Sequence, residues 1–556
     1  MAFPEDVTLR EARTAGAVPE PRRTARIWGT GSHGWQGRVA DSCESAFRFL
    51  QRVARHKLLV CVAMAVLPMG IRFAALPWKP IPTPAIHDEF SYILAADTFR
   101  SGRLTNPTHP MWRHFETFHE LMQPTYQSKY PPAQGMFLAL GWKLMGHPWY
   151  GVWISFGFMC GCLCWMLQGW VPPVYGVLGT LLAIAQIRIF GYWMDSYWGG
   201  AVAAAGGALV IGALPRLTSR PNFAASILGA VGVAILANSR PYEGGVMVAA
   251  AALALLWWRR RRNQPFRQLL SWRNLVPFLV IGGCTLAWMA YYNYRVTGDA
   301  LTMPYAVYWR TYAVAPNWWM FPPNHHTEVV HQPALRDFSY GWEFLQYLPQ
   351  HLHPLNAVYR TVEMAKAFYF PAALCLAIGA ALLAVRSPKV WLPAGLIAVV
   401  LCGNVFETWH FAHYIACALG LGFIIAASAL RMLRTMAGRF GAAMVFLCVA
   451  IPEVSGLGGI VSFYVPPDPR PDVIRSLKAH GGKHLVIVRY APQHKADVDP
   501  EWVFNAADID RSPIVWARDM GVEKNRELLS YYPDRKAWLL RPDQALIPTP
   551  YSETVQ

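Results

Sequence analysis

The stretch Ile86-His87-Asp88-Glu89-Phe90-Ser91-Tyr92 places two carboxylates side by side just past an apolar run at 57–78. Charged groups there are costly unless they are solvated or used. The competing structural account is the first turn of a solvated helix, where acidic residues complement the helix dipole. A second constellation is Tyr192-Trp193-Met194-Asp195-Ser196-Tyr197-Trp198-Gly199-Gly200. A carboxylate among aromatic rings suits a sugar, whose apolar faces stack while the acid takes hydroxyls. Asp195, Tyr197 and Trp198 are therefore candidate sugar or acceptor contacts, against the alternative of an interfacial aromatic belt with one capping Asp. His325, His326 and His331 with Glu328 are metal-ligand types, but their irregular spacing in a proline-containing loop favours an exposed polar loop. No cofactor is expected, with a divalent metal as the minor alternative. Cys160, Cys162 and Cys164 do not share a helix face, so packing accounts for them better than a metal does.

The elements that must position these residues are apolar. The chain has 556 residues, 54% of them hydrophobic and 15% charged, against roughly 25% charged in soluble domains. This is the composition of a polytopic α-helical membrane protein. The net charge of +17 gathers at the ends of apolar runs, where it sets topology, so nucleic acid is not an expected partner. Candidate spans lie near 57–78, 150–170, 174–192, 197–215, 222–239, 244–258, 274–293, 366–386, 390–406, 411–430 and 441–463, which makes about eleven helices. The stretch Gln134–Gly146 is too short to span and suits an interfacial or re-entrant helix. With it excluded, Arg52 with Arg55 and Lys57, Arg216 with Arg220, the run Arg259–Arg262, Arg386 with Lys389, and Arg431 with Arg434 and Arg439 all fall on the cytoplasmic side. The expected arrangement is a multi-pass inner (plasma) membrane protein, its N-terminus cytoplasmic and its C-terminus outside.

That topology divides the chain into a basic cytoplasmic tail at 1–56, a transmembrane domain at 57–463 with large outer loops at 79–149 and 294–365, and an extracytoplasmic domain at 464–556. Within the tail, Asp41 to Arg55 is a candidate interfacial helix. In the last domain, Leu485–Tyr490, Ile514–Ala517 and Ala537–Leu540 read as strands, and Pro471–Ala479 and Val522–Tyr531 as helices, giving a small soluble α/β domain. The same topology puts the unusual polar residues on one face. Arg240, in Asn238-Ser239-Arg240-Pro241-Tyr242-Glu243, sits at an outer helix end against the positive-inside trend, which favours a function over snorkelling to headgroups. His109, His114, Glu116, His119, Glu120 and Gln123 are further candidates to line an acceptor cleft.

A first span, an acidic pair in a long outer loop and a short helix after a Pro-Pro resemble the GT-C membrane glycosyltransferases, in particular the protein O-mannosyltransferase and lipid A aminoarabinose transferase group. Tyr126-Gln127-Ser128-Lys129-Tyr130-Pro131-Pro132-Ala133 resembles that group's basic-residue–Pro-Pro segment, although Tyr130 here intervenes. The resemblance implies a polyprenyl-phosphate-linked sugar donor and an inverting hexosyl or pentosyl transfer at the outer face. The acceptor is a lipid, a cell-envelope glycan or a protein, and membrane lipids surround the chain. Asp88 matches the catalytic acidic position and is the expected base, with Glu89 a positioner of acceptor or sugar; the two roles are exchangeable. Arg240, Lys129 and His413 are the candidate phosphate ligands, His413-Tyr414 fitting a His/Arg-Tyr motif of the group only loosely. Tyr130, His87, Glu243 and Tyr414 are candidate sugar or acceptor contacts. The alternatives are a transporter or flippase of a lipid-linked glycan, and a membrane scaffold acting through its C-terminal domain.

Overall fold

The computed structural model describes residues 35–324, 332–369, 372–384, 387–457, 469–495 and 499–552. The candidate metal loop around His325, His326, Glu328 and His331 lies outside them. Each apolar stretch singled out in the sequence falls on a helix: Lys57–Ala74, Trp149–Trp170, Pro173–Ile187, Gly200–Ser219, Phe223–Ala237, Pro241–Arg261, Trp272–Thr297, Ala372–Ala384, Pro388–Val405, Leu419–Met436 and Gly441–Leu457. Among the described residues, 7 helices are long and apolar enough to cross a membrane. The candidate interfacial helix near the N-terminus extends over Trp35–Val53.

Burial separates central helices from lipid-facing ones. Gly200–Ser219 is 89% buried along its apolar window, whereas Trp272–Thr297 is 11% buried. The first is built from Gly and Ala, which let neighbouring backbones approach closely, as membrane helix packing requires. A Cβ at Gly207 would lie 2.0 Å from the carbonyl oxygen of Cys417. Trp272–Thr297 instead exposes Leu275, Leu279, Val280 and Leu286, an apolar face suited to lipid.

The short apolar stretch after the Pro-Pro forms the helix Pro132–Met145, of 14 residues. Its length is roughly 21 Å at 1.5 Å per residue, short of a bilayer core. Pro132 opens it at a position where a missing N–H costs nothing, and Gly146, at φ 81°, closes it in the left-handed conformation. It packs tightly on Trp149–Trp170, because a Cβ at Gly141 would sit 1.9 Å from the Gly151 nitrogen.

Before this helix lie three short strands, β1 (Asn106–Pro107), β2 (Glu120–Leu121) and β3 (Thr125–Ser128), in the order β1-β3-β2. The C-terminal region adds β4 (Lys483–Val488), β5 (Ile514–Arg518), β6 (Arg535–Arg541) and β7 (Ala545–Pro550) in the order β5-β4-β6-β7. β4 is parallel to both neighbours, and β7 is antiparallel to β6. Helices Arg470–Ala479 and Val522–Tyr531 complete it. β7 has no counterpart in the sequence reading. It is an exposed edge carrying Pro548 and Pro550, so it lacks the alternation that marks a half-buried strand.

This domain shares a core with the first long loop. Leu94, Phe115, Met122 and Tyr126 pack with Leu485, Ile487, Val515 and Leu528. Phe90 stacks on Phe504 at 4.0 Å, and the Ala507 amide donates to Asp97 Oδ2 at 2.9 Å. His109, His114 and Glu116 belong to this contact: His109 meets Asp510 at 3.0 Å, His114 meets the Arg518 carbonyl at 3.2 Å, and the Glu116 carbonyl accepts from Arg518 Nε at 2.7 Å.

Gly207→Ala is expected to lower both folded yield and melting temperature in detergent. Gly245→Ala, on the exposed face of Pro241–Arg261 with nothing within 4 Å of the added Cβ, should match or slightly exceed the parent, as helical Gly→Ala ordinarily does. Equal behaviour of the two variants would contradict the close helix approach.

Candidate active site

The acidic pair opens the helix His87–Arg100. Successive helical residues differ by about 100°, and the two carboxylates go separate ways. Glu89 turns inward. Its Oε2 accepts from the Ala85 and Ile86 amides at 2.8 and 3.0 Å, and its Oε1 accepts from the Tyr197 amide at 2.9 Å. Burial raises its carboxyl above the usual range against the pull of those amides. Asp88 remains 28% exposed along its side chain. Its Oδ1 accepts from the Tyr130 hydroxyl, and its Oδ2 lies 3.7 Å from His119 Nε2.

The β2–β3 pairing sets the next link. The Lys129 amide donates to the His119 carbonyl at 3.1 Å, and Lys129 Nζ lies 2.8 Å from His119 Nδ1. An ammonium can only donate, so charged Lys129 makes Nδ1 the acceptor and leaves the Nε2–H toward Asp88. Burial, then the Lys129 charge, hold His119 neutral well below its usual range. Lys129 is enclosed by the rings of Tyr308 at 4.3 Å and of Tyr130 and Tyr305 at 5.1 Å. Burial lowers its ammonium to about 8.

Asp88, His119 and Lys129 line a cavity of ≈ 560 Å³ together with His87, Tyr130, Trp198, Arg240, His413 and Tyr414. Residues Arg470, Asp499 and Pro500 of the C-terminal domain form part of its wall. A second cavity of ≈ 720 Å³ adjoins it, lined by Glu243, Leu301, Met303, Trp309, Trp318 and Phe321 among others. Tyr130, Arg240, Tyr305, Trp409 and Tyr414 line both. Arg240 precedes Pro241 at the N-terminus of Pro241–Arg261, and its guanidinium lies 4.3 Å over the Tyr414 ring. Among the described residues it makes no hydrogen bond or ion pair, so its donors are free at a helix end that itself favours anions. The start of Pro132–Met145 fixes this corner, since the Ala133 amide donates to the Asn238 carbonyl at 2.9 Å. His413 accepts from or donates to the Tyr192 hydroxyl at 3.0 Å and lies edge-on to Trp198 at 4.8 Å.

Three expected contacts have other places. Asp195 does not face either cavity. Its carboxylate meets Arg72 at 3.1 Å and Lys79 at 3.2 Å, with Arg72 fully buried over Trp149. Tyr197 is buried and donates its hydroxyl to the Pro82 carbonyl at 2.8 Å. Glu89 is used up by backbone amides. These corrections share one cause: each polar group finds an internal partner distant in sequence. The cavity also holds residues that the sequence reading did not single out, namely Tyr305, Phe338, Trp342, Glu343, Trp409 and Phe411. Tyr305, Phe338, Trp342 and Glu343 come from the long loop at 294–365, and Trp409 and Phe411 from the short turn after Pro388–Val405, where no periodicity marks which side chains turn inward. Among the described residues, one group of metal-ligand types lies within reach of a common point, His494, Asp499 and Asp543, with His494 Nδ1 and Asp543 Oδ1 at 2.8 Å.

No family model matches the chain, and no curated protein matches it. Solved structures do align with it. ArnT from Cupriavidus metallidurans bound to undecaprenyl phosphate aligns over 87% of this chain and 93% of its own, with 13% identity and a TM-score of 0.48. The apo form of that protein aligns over 88% and 94%, with 13% identity and a TM-score of 0.46. The oligosaccharyltransferase of Archaeoglobus fulgidus aligns over 78% of this chain and 62% of its own, with 11% identity and a TM-score of 0.39. At these identities the likeness is one of chain course.

Asp195→Ala leaves buried Arg72 uncompensated, which costs about 3–5 kcal/mol for a broken buried pair. A lowered melting temperature and reduced folded yield are expected for Asp195→Ala and Glu89→Ala alike, whereas Asp88→Asn should melt like the parent. A stable Asp195→Ala protein would contradict the structural role.

Proposed function

We propose that this chain is a membrane glycosyltransferase that moves a sugar from a polyprenyl-phosphate-linked donor to a hydroxyl of a lipid, glycan or protein acceptor at the outer face. The observation that carries the proposal is the adjoining pair of cavities with Arg240 at their junction and Asp88 in the smaller one. A lipid phosphate needs an apolar groove for its chain, a cation for its head and a reacting centre beyond the head. The larger cavity, Arg240 and Asp88 supply these in that order.

In the reaction, Asp88 accepts the proton of the acceptor hydroxyl as that oxygen bonds to the anomeric carbon. The bond from that carbon to the phosphate oxygen breaks, and the polyprenyl phosphate leaves with the electron pair. Attack opposite the leaving phosphate inverts the anomeric centre. Tyr130 and the Nε2–H side of His119 orient the Asp88 carboxylate. Arg240 stabilises the charge that develops on the leaving phosphate, as preorganised donors do, and Lys129 adds a second positive charge across Tyr130. Trp198, His413 and Tyr414 shape the wall against which sugar or acceptor rests, and Glu243 faces the larger cavity.

Asp88→Asn is expected to lower turnover by about 10²–10⁴-fold, the range of a lost general base. Binding of undecaprenyl phosphate should be unchanged, and both are read in nanodiscs by transfer of radiolabelled sugar and by lipid binding. Full transfer activity in this variant would sink the assignment. Arg240→Ala should weaken undecaprenyl phosphate binding by roughly tenfold or more.

The phosphate affinity also has an expected pH dependence. Lys129 is charged below about 8 and loses its proton as pH rises through that value. A phosphate monoester is already largely dianionic there, so affinity should fall between about pH 7 and 9 in the parent. The fall should shrink in Lys129→Met to the part that Glu343 contributes as it ionises in the same cavity, and should vanish when Glu343→Gln is added. A flat profile in the parent would exclude Lys129 from phosphate binding.

A further inference from the structure

Glu343 belongs to the second long loop, and nothing in the proposed transfer uses it. It ends a π-helical turn, Phe338–Glu343, between the helices Pro333–Asp337 and Phe344–Leu352. Such turns carry one residue more than an α-turn and occur often at functional sites. Here Phe338, Trp342 and Glu343 all reach the wall of the cavity that contains Asp88.

The carboxylate is half satisfied. Ser339 and the Val314 backbone provide hydrogen bonds to it, yet its Oε2 has no partner, although the residue is only 5% exposed. Oε2 itself is closed off, so it is Glu343's place in the cavity wall that offers a carboxylate to a ligand there, and a buried acid with one oxygen unpartnered gains from any further donor. Lys129 and Arg240 line the same space, so a bare cation would meet like charge there. A neutral donor would not. Beside Glu343, Trp342 stacks with Trp409 at 5.9 Å and 10°, and Phe338 lies 5.0 Å from Trp342. An acid at the edge of an aromatic wall has the chemistry of a hydroxylated ring: carbon-bound hydrogens against the indoles, hydroxyls on the carboxylate. The pattern that the sequence showed at Asp195 is realised in space at Glu343.

We infer that Glu343 is the specificity-determining residue for the sugar, its carboxylate in the cavity wall accepting hydrogen bonds from ring hydroxyls of a glycosyl group held against Trp342 and Trp409. This rests on the glycosyltransferase proposal and adds to it the residue that reads the ring. Because Asp88 lines the same cavity, a ring bound this way keeps its anomeric carbon within the space that the base serves. Burial pushes the Glu343 carboxyl up to about 7, with Lys129 facing it as the opposing charge and Asp88 as the like charge. Ring binding is therefore expected to vary near neutral pH.

The test uses the full chain in nanodiscs and three kinds of radiolabelled probe: undecaprenyl phosphate, the same lipid carrying glucose, mannose or arabinose, and the corresponding free methyl glycosides. The parent should bind at least one sugar-bearing lipid about tenfold or more tighter than the bare lipid. Glu343→Gln should erase that preference, a loss of about ten- to hundredfold for a hydrogen bond to a charged group, while bare-lipid affinity stays the same. Retained bare-lipid binding doubles as the folding control. If Glu343→Gln loses both, Glu343→Asp, which keeps the charge one methylene short, replaces it and should again lose only the sugar preference. If the methyl glycosides alone compete and the sugar-bearing lipids show no preference, the ring belongs to the acceptor and the assignment of Glu343 to the transferred sugar is overturned. A sugar preference that survives in Glu343→Gln overturns the assignment and leaves the transferase proposal standing. A parent that binds neither lipid overturns both.

Discussion

A carboxylate taken out of water must find donors for its lone pairs, and Glu89 finds the amides of Ala85, Ile86 and Tyr197. Those three contacts join the segment before the helix His87–Arg100, the helix itself and the turn that precedes Gly200–Ser219. With Glu89 fixed, helical geometry leaves Asp88 one direction in which to point, toward Tyr130 and His119. The pair in the sequence is therefore a division of labour. One acid is spent on holding the site together, and its neighbour is left partly open to the cavity.

The same economy of partners organises the rest of the pocket. Lys129 is committed to His119, Asp195 to Arg72 and Lys79, and Arg518 to Glu501 and the Glu116 carbonyl. Against that background the guanidinium of Arg240 stands uncommitted, and Glu343 brings a further carboxylate to the cavity wall. Both face cavity space, one at the junction with the apolar groove and one beside the aromatic wall. The C-terminal domain shares a core with the first long loop and closes the cavity with Arg470, Asp499 and Pro500, so its packing bears on the site's shape as well as on stability.

Much of this was legible in the sequence, and the divide has a physical basis. Apolar length marks helices, and each apolar stretch became one. Pro131-Pro132 and Gly146 bounded the short helix through their backbone restrictions. Charged residues at the ends of apolar runs are visible because such positions are costly, which singles out Asp88 and Arg240, whereas Lys129 and His413 are singled out by the resemblance of their segments to the glycosyltransferase motifs; all four converge on one cavity. The misplacements are long-range pairings. Asp195 looked like a ligand contact because its partner Arg72 lies 123 residues away, and no local pattern predicts a tertiary salt bridge. Glu343 and Trp342 in the long loop and Trp409 in a short turn carry no periodicity that tells which side chains face the cavity.

The central claim is that a lipid phosphate sits at Arg240, with its chain in the larger cavity and its head toward Asp88. A structure of the chain in nanodiscs with undecaprenyl phosphate tests this most directly. The account predicts phosphate oxygens at about 3 Å from the Arg240 guanidinium, isoprenoid density along Trp309, Trp318 and Phe321, and the Asp88 carboxylate on the far side of the phosphate. Lipid bound elsewhere, or a phosphate held apart from Arg240, would contradict it.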